Sequence, residues 1–208
     1  MKLYFKPGAC SLASRIVLNE LNIPFTAEAV DVAEGKTESG KNFRLINPNG
    51  YVPVLEISEG VHLTENAAIL QFIADAEPTS SLVPLNGTIE RARLQEALSF
   101  AGSELHKAYS PFFRTPDMSG ELRAQSIQNA YKKIQHIENQ LADGREYLTG
   151  NTFSIADAYT AVILNWSNFI NLDLAKFQNV KDYLDRILSR PSVVESLRQE
   201  GLIEGNAA

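Results

Sequence analysis

Residues 2–21 read KLYFKPGACSLASRIVLNEL, and the pattern of this stretch changes at the breaker Pro7-Gly8. The residues before the breaker, Lys2–Lys6, are few and rich in aromatic side chains, which is typical of a strand. The segment after it, Ser11–Leu21, has a four-residue periodicity, which predicts a helix. The chain therefore begins with a strand that is followed by a helix.

The remainder of residues 1–80 mixes strand and helix patterns. Phe25–Val32 alternates as a strand does, whereas Glu34–Arg44 is polar and contains two glycines, which favours a loop or a broken helix. Val52–Ile57 and Gly60–Leu63 are predicted to form a hairpin, and Asn66–Ala76 is predicted to be an amphipathic helix. The order βαβ followed by ββα predicts an α/β domain over residues 1–80.

A linker is predicted at residues 77–87, which read EPTSSLVPLNG and carry turn residues without helical periodicity. Beyond it every segment is helical in pattern: Thr88–Tyr109, Gly120–Leu141, Ser154–Phe169, Asn179–Ser189 and Ser192–Glu200. The start of the third segment resembles a capping box in which Asp157 reaches back to the first residues of the helix. Residues 87–208 are therefore predicted to form a second domain that is all helical.

Composition excludes several classes of partner and location. The 208 residues are 44% hydrophobic, and 19 Lys and Arg against 25 Asp and Glu give a net charge of −6, so no basic surface for nucleic acid is expected. No apolar stretch approaches the roughly 20 residues that cross a bilayer, and we expect neither membrane insertion nor an export signal. The single cysteine makes the fold independent of an oxidising compartment, which favours the cytoplasm.

Cys10 follows the first predicted strand and directly precedes a helix. Unsatisfied amides and the helix dipole at such a position favour a thiolate, so a reactive thiol is one interpretation. The alternative is a small buried side chain that serves packing alone. Alanine stands at residue 13, where a Cys-x-x-Cys motif would carry its second thiol, so any disulfide must form with an outside thiol.

Two further segments could hold a peptide-like ligand. Pro53 restrains Val52 to an extended shape and leaves its backbone polar groups available, although an edge strand explains the same pattern. At residues 63–66 a strand ends and a helix begins. The amides there could bind a carboxylate and Glu65 could bind an ammonium, although a plain helix cap is equally consistent.

The helix predicted over Thr88–Tyr109 carries a small polar stripe that consists of Ser99, Ser103 and His106. Such a stripe suits the wall of a cleft, where the imidazole could assist a thiol or polarise a ligand. The alternative is a solvated helix face. The three histidines of the chain show no metal-ligand spacing, and no metal site is predicted.

Taken together, these segments resemble the beta class of bacterial glutathione S-transferases. The resemblance runs nearly end to end and is carried by KPGACSLAS at 6–14, INPNGYVPVL at 46–55, LTENAAI at 63–69, ELHK at 104–107 and FSIADAY at 153–159. It implies a thioredoxin-like amino-terminal domain that binds glutathione and an all-helical carboxy-terminal domain that shapes the electrophile pocket. It also implies a homodimer, with glutathione as cosubstrate and no tightly bound cofactor.

The resemblance also assigns roles to individual residues. Cys10 and His106 are implied to be catalytic, with Cys10 beside the glutathione sulfur and able to form a mixed disulfide. The implied glutathione contacts are those two residues together with Lys36, Val52, Pro53, Glu65, Asn66, Ser99, Ser103 and Glu104. Pro53 is implied to be a cis proline. Aromatic candidates for the wall of the electrophile pocket are Phe5, Tyr109, Phe112, Phe113 and Trp166, some of which are expected to serve core packing instead.

The function that follows is transfer of glutathione to small apolar electrophiles, a detoxification reaction, with thiol–disulfide chemistry through Cys10 as a second activity. A mainly redox enzyme, active in deglutathionylation or peroxide reduction, is an alternative within enzymes. A noncatalytic carrier of apolar compounds is the alternative outside them.

Overall fold

A computed structural model describes residues 1–77, 79–115 and 117–204. Pro78 of the predicted linker and the last four residues of the predicted second domain lie outside the described residues. Contacts divide the chain into two compact units. Unit 1 comprises Met1–Ser80 with Ser189–Ala208, and unit 2 comprises Ser81–Leu188.

Unit 1 is built on a five-stranded sheet. Its strands are β1 (Lys2–Phe5), β2 (Thr26–Asp31), β3 (Lys36–Thr37), β4 (Val54–Ser58) and β5 (Val61–Leu63), and its helices are α1 (Leu12–Glu20) and α2 (Asn66–Asp75). The strand order is β3-β2-β1-β4-β5. β1 and β2 are parallel, with Leu3 opposite Ala27, and the other pairs are antiparallel. The predicted strands and helices of this unit are present, with β3 and a 3-10 turn at Phe43–Leu45 lying in the segment predicted as loop.

Both faces of the sheet are covered. Alternation along β1 sends Leu3 into one buried core, with Leu55 of β4, and Tyr4 into another, with Val54. The Tyr4 cluster also contains Val30 and is covered by Phe43, which is fully buried. The chain between β3 and β4 therefore covers this face of the sheet. Phe43 packs in the same cluster as Val54, the first residue of β4, and so holds the start of that strand in place.

A buried carboxylate at this sheet is predicted to make unit 1 sensitive to acid. Burial by itself raises the pKa of Glu28, but hydrogen bonds from Lys2, Ser39 and Thr37 together lower it from 4.5 to about 2. The folded state therefore favours the carboxylate. Its stabilisation, up to ~3 kcal/mol, is complete above pH 4.5 and is lost as the pH falls towards 2.

We expect Glu28→Gln to remove this pH dependence. Urea midpoints measured across that interval should fall more steeply for the parent protein than for Glu28→Gln. Glu38→Gln, at an exposed carboxylate of the same sheet edge, should keep the parent slope. Equal slopes for Glu28→Gln and the parent would contradict the assignment.

The regular secondary structure described in unit 2 is helical, apart from an isolated bridge between Tyr147 and Gly150. Its helices are α3 (Ile89–Phe100), α4 (His106–Arg114), α5 (Gly120–Leu141), α6 (Ile155–Ile170) and α7 (Gln178–Leu188). α6 is the central helix, because its side chains are buried on nearly every face and α3, α4 and α7 pack against it. Asp157 does reach back to the start of this helix, where it accepts hydrogen bonds from the N–H and the Oγ–H of Ser154. The α/β unit and the helical unit confirm the predicted fold class.

The helix predicted over Thr88–Tyr109 is interrupted. Residues Ala101–Leu105 form a π-helical turn, and α4 then continues through Pro111 to Arg114. A π turn takes one residue more than an α turn, so it shifts the side chains that follow around the helix axis. The stripe of Ser99, Ser103 and His106 that ideal spacing predicts is therefore split.

The last helix, α8 (Pro191–Gln199), departs from the predicted domain boundaries. Sequence analysis assigns residues 87–208 to one helical domain, but α8 belongs to unit 1 and packs against α1. Val193 and Leu197 are buried there, and Arg15 of α1 pairs with Glu200, just beyond α8. A helical pattern gives the apolar face of a helix but not the element that covers it. No described helix is long and apolar enough to cross a membrane.

Candidate active site

Cys10 lies in the turn that joins β1 to α1. The side chain of Ser11 holds this turn closed, because its Oγ accepts from the N–H of Lys6 at 3.2 Å and donates to the Lys6 carbonyl at 3.3 Å. Gly8 has a φ of +72°, which favours glycine. The partly buried thiol of Cys10 donates to the Val52 carbonyl, with an Sγ–O distance of 3.4 Å. The fold thus brings Cys10 and Val52 into contact.

The peptide bond between Val52 and Pro53 is cis, as the resemblance implies. Pro53 is buried and Val52 is half-buried. Asn47 supports this segment from the preceding loop, because its Nδ2 donates to the carbonyl of Tyr51 at 2.8 Å. The backbone around Val52 is therefore held in place directly beside the Cys10 turn.

Asn66, which the resemblance implies as a glutathione contact, links the start of α2 to the Cys10 turn. Its side chain is 5% exposed, and its Nδ2 donates to the Cys10 carbonyl at 3.0 Å while its Oδ1 accepts from Ser14 Oγ at 2.7 Å. Both ends of the carboxamide are used within unit 1, and they tie the start of α2 to the Cys10 turn. The Asn66 side chain therefore positions Cys10 by holding the backbone carbonyl of Cys10.

Glu65 is the exposed N-cap of α2 and has a φ of +66°. A non-glycine residue in this region costs of order 1–3 kcal/mol, and such residues are concentrated at binding and catalytic sites. The Glu65 carbonyl accepts the first helical hydrogen bonds, from Ala68 and Ile69. Its carboxylate thus stands at the amino end of a helix, as the sequence predicts.

Burial reverses the ionisation that helix position alone predicts for Cys10. Burial raises the pKa of the thiol to about 12, the nearby Glu65 carboxylate adds to this, and the hydrogen bonds with the backbone at Cys10 and Ser11 lower it by less. The helix start by itself favours a thiolate, whereas a small buried side chain is the other interpretation that the sequence leaves open. With its pKa raised this far the thiol is neutral at pH 7, and a neutral thiol is a hydrogen-bond donor and a weak nucleophile.

We therefore expect Cys10 to react slowly with alkylating reagents at neutral pH. Iodoacetamide should modify it at pH 7.5 at least about a hundredfold more slowly than it modifies free cysteine, and the rate should still be rising at pH 10. Since the chain has one cysteine, mass spectrometry of the intact protein reports this site alone. A rate that reaches its plateau below pH 9 would contradict the neutral thiol.

Two predicted residues of unit 1 lie apart from the Cys10 group. Lys36 is exposed on β3, the edge strand, with β2 between it and β1, so the structure does not bring it to Cys10. Phe5 is 9% exposed, and the guanidinium of Arg15 lies 4.2 Å from the centre of its ring. This cation–π contact covers a face of the Phe5 ring that would have to be exposed if Phe5 lined a pocket.

The polar residues of unit 2 separate at the π turn. Ser99 and Ser103 are exposed, and Ser103 Oγ donates to the Ser99 carbonyl at 2.8 Å. Glu104 is also exposed and pairs with Lys133 at 2.6 Å; this hydrogen bond and charge lower the pKa of Glu104. His106 instead turns towards α6.

His106 is held among aromatic side chains of α6. Its Nδ1 lies 3.3 Å from the hydroxyl of Tyr159, and its ring meets that of Trp166 edge to face, with 4.9 Å between centroids. Burial lowers the pKa of His106, and the positive charge of Arg114 lowers it further. The imidazole is therefore neutral at pH 7.

The other aromatic candidates differ in exposure. Tyr109 is fully buried and bonded to Ser167 at 2.6 Å, so it belongs to the core of unit 2 and not to a pocket wall. Phe112 is also buried. Phe113 is 48% exposed and lies 5.3 Å from Trp166, edge to face. Phe113 thus offers an apolar surface beside the ring that contacts His106.

The sequence pattern assigns no role to Tyr159, although FSIADAY ends on this residue. The same is true of Ser14, which supports Asn66. In neither case does local pattern reveal the partner, which lies 53 or 52 residues away in the chain. Among the described residues no His, Cys, Asp and Glu side chains group in a way that could hold a metal ion.

Comparison with known proteins places the chain in a family. Residues 8–76 match the family model for the glutathione S-transferase amino-terminal domain, and residues 100–191 match that for the carboxy-terminal domain. The chain belongs to the glutathione S-transferase family. It is 38% identical to glutathione S-transferase GstA of Escherichia coli O157:H7, over 97% of this chain and 100% of that protein.

Solved structures agree with this assignment. The bacterial beta class glutathione S-transferase of Sphingomonas chungbukensis is 43% identical, with a TM-score of 0.92 over 98% of this chain and 100% of that one. A sphingomonad glutathione S-transferase complexed with glutathione is likewise 43% identical, with a TM-score of 0.91 and the same coverage of both chains. The predicted beta class resemblance is confirmed, and so is the prediction of a glutathione-transferring enzyme.

Proposed function

We propose that this glutathione S-transferase conjugates glutathione to small apolar electrophiles and that Cys10 assists as a neutral hydrogen-bond donor. The observation that carries the proposal is the partly buried Cys10 thiol, whose Sγ lies 3.4 Å from the Val52 carbonyl and whose pKa burial raises to about 12. When glutathione binds, the S–H turns from that carbonyl to the glutathione sulfur. A group that stays protonated can stabilise a neighbouring sulfur anion by donating to it. The attacking nucleophile is then the thiolate of glutathione, for which catalysis supplies position and hydrogen bonds.

Unit 1 is the proposed glutathione-binding region. The backbone at Val52 offers an extended segment to the cysteinyl part of glutathione, and Glu65 offers a carboxylate at a helix start to the γ-glutamyl ammonium. Lys36, Ser99, Ser103 and Glu104 remain proposed contacts from the resemblance. Phe113 and Trp166 are proposed to receive the apolar electrophile, because Phe113 exposes its ring and packs edge to face on Trp166, which in turn contacts His106.

Retention on immobilised glutathione together with turnover of an activated aryl halide tests conjugation. Cys10→Ala should retain at least about a tenth of that turnover, because it removes one hydrogen bond and no nucleophile. Loss of all turnover in a folded Cys10→Ala protein, with deglutathionylation present in the parent, would favour the redox alternative. Binding of apolar ligands with no glutathione-dependent rate would favour the carrier.

We also propose that the enzyme is a homodimer in the cytoplasm. Unit 1 exposes two large apolar side chains close in sequence, Leu45 at 84% and Tyr51 at 60%, which a second copy would cover. Sedimentation equilibrium should give twice the 23.0 kDa of one chain. Tyr51→Ser should shift the protein towards the monomer, and a monomeric parent protein would overturn the proposal.

A further inference from the structure

The contact between His106 and Tyr159 determines which imidazole nitrogen is available for chemistry. Tyr159 lies on α6 and is 4% exposed, and its hydroxyl is 3.3 Å from Nδ1 of His106. The edge-to-face contact with Trp166 restrains the plane of the imidazole. Since Nδ1 is engaged with Tyr159, Nε2 is the nitrogen left to meet a reactant.

The π turn brings His106 to this position. Its extra residue rotates α4 relative to α3, which leaves Ser103 and Glu104 exposed while His106 turns to α6. Gly102 lies in the same turn, and a Cβ built on it would meet the Tyr159 hydroxyl at 3.6 Å. The turn therefore packs closely on Tyr159 as well as carrying the imidazole towards it.

Acidity decides the direction of the hydrogen bond. A phenol, with a pKa near 10, is a far better donor than the N–H of a neutral imidazole, and the unprotonated imidazole nitrogen is a far better acceptor than a phenol oxygen. The bond from Tyr159 O–H to Nδ1 is therefore favoured over the reverse. A neutral imidazole that accepts at Nδ1 carries its proton on Nε2.

We propose that Tyr159 is a positioning residue that donates to Nδ1 of His106 and so fixes the imidazole as an Nε2–H donor. This inference rests on the proposed conjugation reaction and on the catalytic role that the resemblance implies for His106. In that role His106 donates a hydrogen bond to negative charge that develops on the reactants. It does not remove the proton of the glutathione thiol, because Nε2 already carries one.

Nitrogen-15 NMR of the histidine rings tests the tautomer without reference to activity. In the parent protein at pH 7.5, His106 should show an unprotonated Nδ1 and a protonated Nε2, and loss of its signals in His106→Gln assigns them among the three histidines. Tyr159→Phe should give a mixture of tautomers. A parent protein with its proton on Nδ1 would overturn the proposal.

Tyr183→Phe is the matched control, because it also removes a buried hydroxyl that bonds to α6, at Asp157. It should lower stability and leave the His106 tautomer unchanged. A tautomer change of the same size in Tyr183→Phe would mean that general loosening of α6, and not the Tyr159 bond, controls the imidazole. That result would overturn the positioning role.

Kinetics separate a donor from a base. Glutamine places an amide N–H near the position of Nε2, so His106→Gln should keep aryl halide turnover within about fivefold of the parent, whereas His106→Ala should lose more. If His106 is a general base, glutamine cannot replace it and turnover should fall by about 10² or more, which would overturn the inference. Tyr159→Phe should lower kcat about fivefold, with little change in KM for glutathione.

Failure of the proposed function has a different signature. A parent protein that turns over no aryl halide while its His106 carries the Nε2 proton contradicts conjugation and leaves the tautomer assignment standing. Active protein with the proton on Nδ1 contradicts the inference alone.

Discussion

Replacing Asp157 with alanine is expected to lower the free energy of unfolding by at least about 4 kcal/mol. The carboxylate is fully buried and accepts four hydrogen bonds. Its Oδ1 accepts from the N–H of Leu148 at 2.8 Å and from the Tyr183 hydroxyl at 3.1 Å. Its Oδ2 accepts from the N–H of Ser154 at 2.8 Å and from its Oγ–H at 2.6 Å.

The size of the effect follows from the donors that the substitution leaves behind. Each buried donor without an acceptor costs about 1–3 kcal/mol, and alanine cannot accept from any of the four. Burial raises the pKa of Asp157 while these same donors lower it, so they also support the charge. The carboxylate joins the start of α6 to α7 and to the segment before α6, so its loss loosens the centre of unit 2.

Urea denaturation of the parent, Asp157→Ala and Asp182→Ala measures the effect. Asp182 is an exposed carboxylate on α7, and its substitution should change stability by less than about 0.5 kcal/mol. Asp157→Asn keeps one acceptor oxygen and should fall between the parent and Asp157→Ala. If Asp157→Ala and Asp182→Ala unfold at the same urea concentration, the four hydrogen bonds do not stabilise unit 2.

Local pattern was sufficient for most helices and strands. The capping residues of α6 are only three positions apart in sequence, and the change of period at Pro7-Gly8 marks where β1 ends and α1 follows. β3 was missed because two residues show no periodicity, and it exists because it pairs with the end of β2. The π turn was missed because its residues, AGSEL, favour an α-helix as well as they favour a π turn.

The resemblance names candidate site residues, but local pattern does not give the surroundings that set their chemistry. Resemblance selected Cys10, Val52, Glu65 and His106, yet the neutral thiol depends on burial by residues distant in sequence. Whether Tyr109 lines a pocket or fills a core likewise depends on what covers it, and the structure buries it completely. Helix propensity and hydrophobic periodicity do not show which side chains from elsewhere in the chain cover a given residue.

Replacing Glu200 with alanine is expected to lower the stability of unit 1 by about 3–5 kcal/mol. Arg15 and Glu200 are 185 residues apart in sequence, and their side chains are almost wholly buried, with Arg15 Nε donating to Glu200 Oε1 at 3.0 Å. Removing one member of a buried ion pair leaves the other charge without compensation. Arg15 would keep weaker support, from Gln199 at 3.3 Å and from the rings of Phe5 and Phe25.

The same substitution should affect catalysis through the Cys10 turn. Glu200 Oε2 accepts from the N–H of Gly8 at 2.9 Å, and Gly8 lies two residues before Cys10. Without that acceptor the turn loses its link to the end of α8. We therefore expect KM for glutathione to rise several-fold in Glu200→Ala under conditions where the protein is folded, and circular dichroism verifies folding.

Two further variants separate charge from packing. Glu195→Ala removes an exposed carboxylate of α8 that pairs with Arg198, and its effect should stay below about 1 kcal/mol. The double variant Arg15→Met with Glu200→Leu removes both buried charges and should be more stable than Glu200→Ala, because no uncompensated charge remains. Since the double variant also lacks the Gly8 acceptor, it should regain stability without regaining the parent KM. A double variant no more stable than Glu200→Ala would show that the cost lies in packing, and the ion-pair argument would then be wrong.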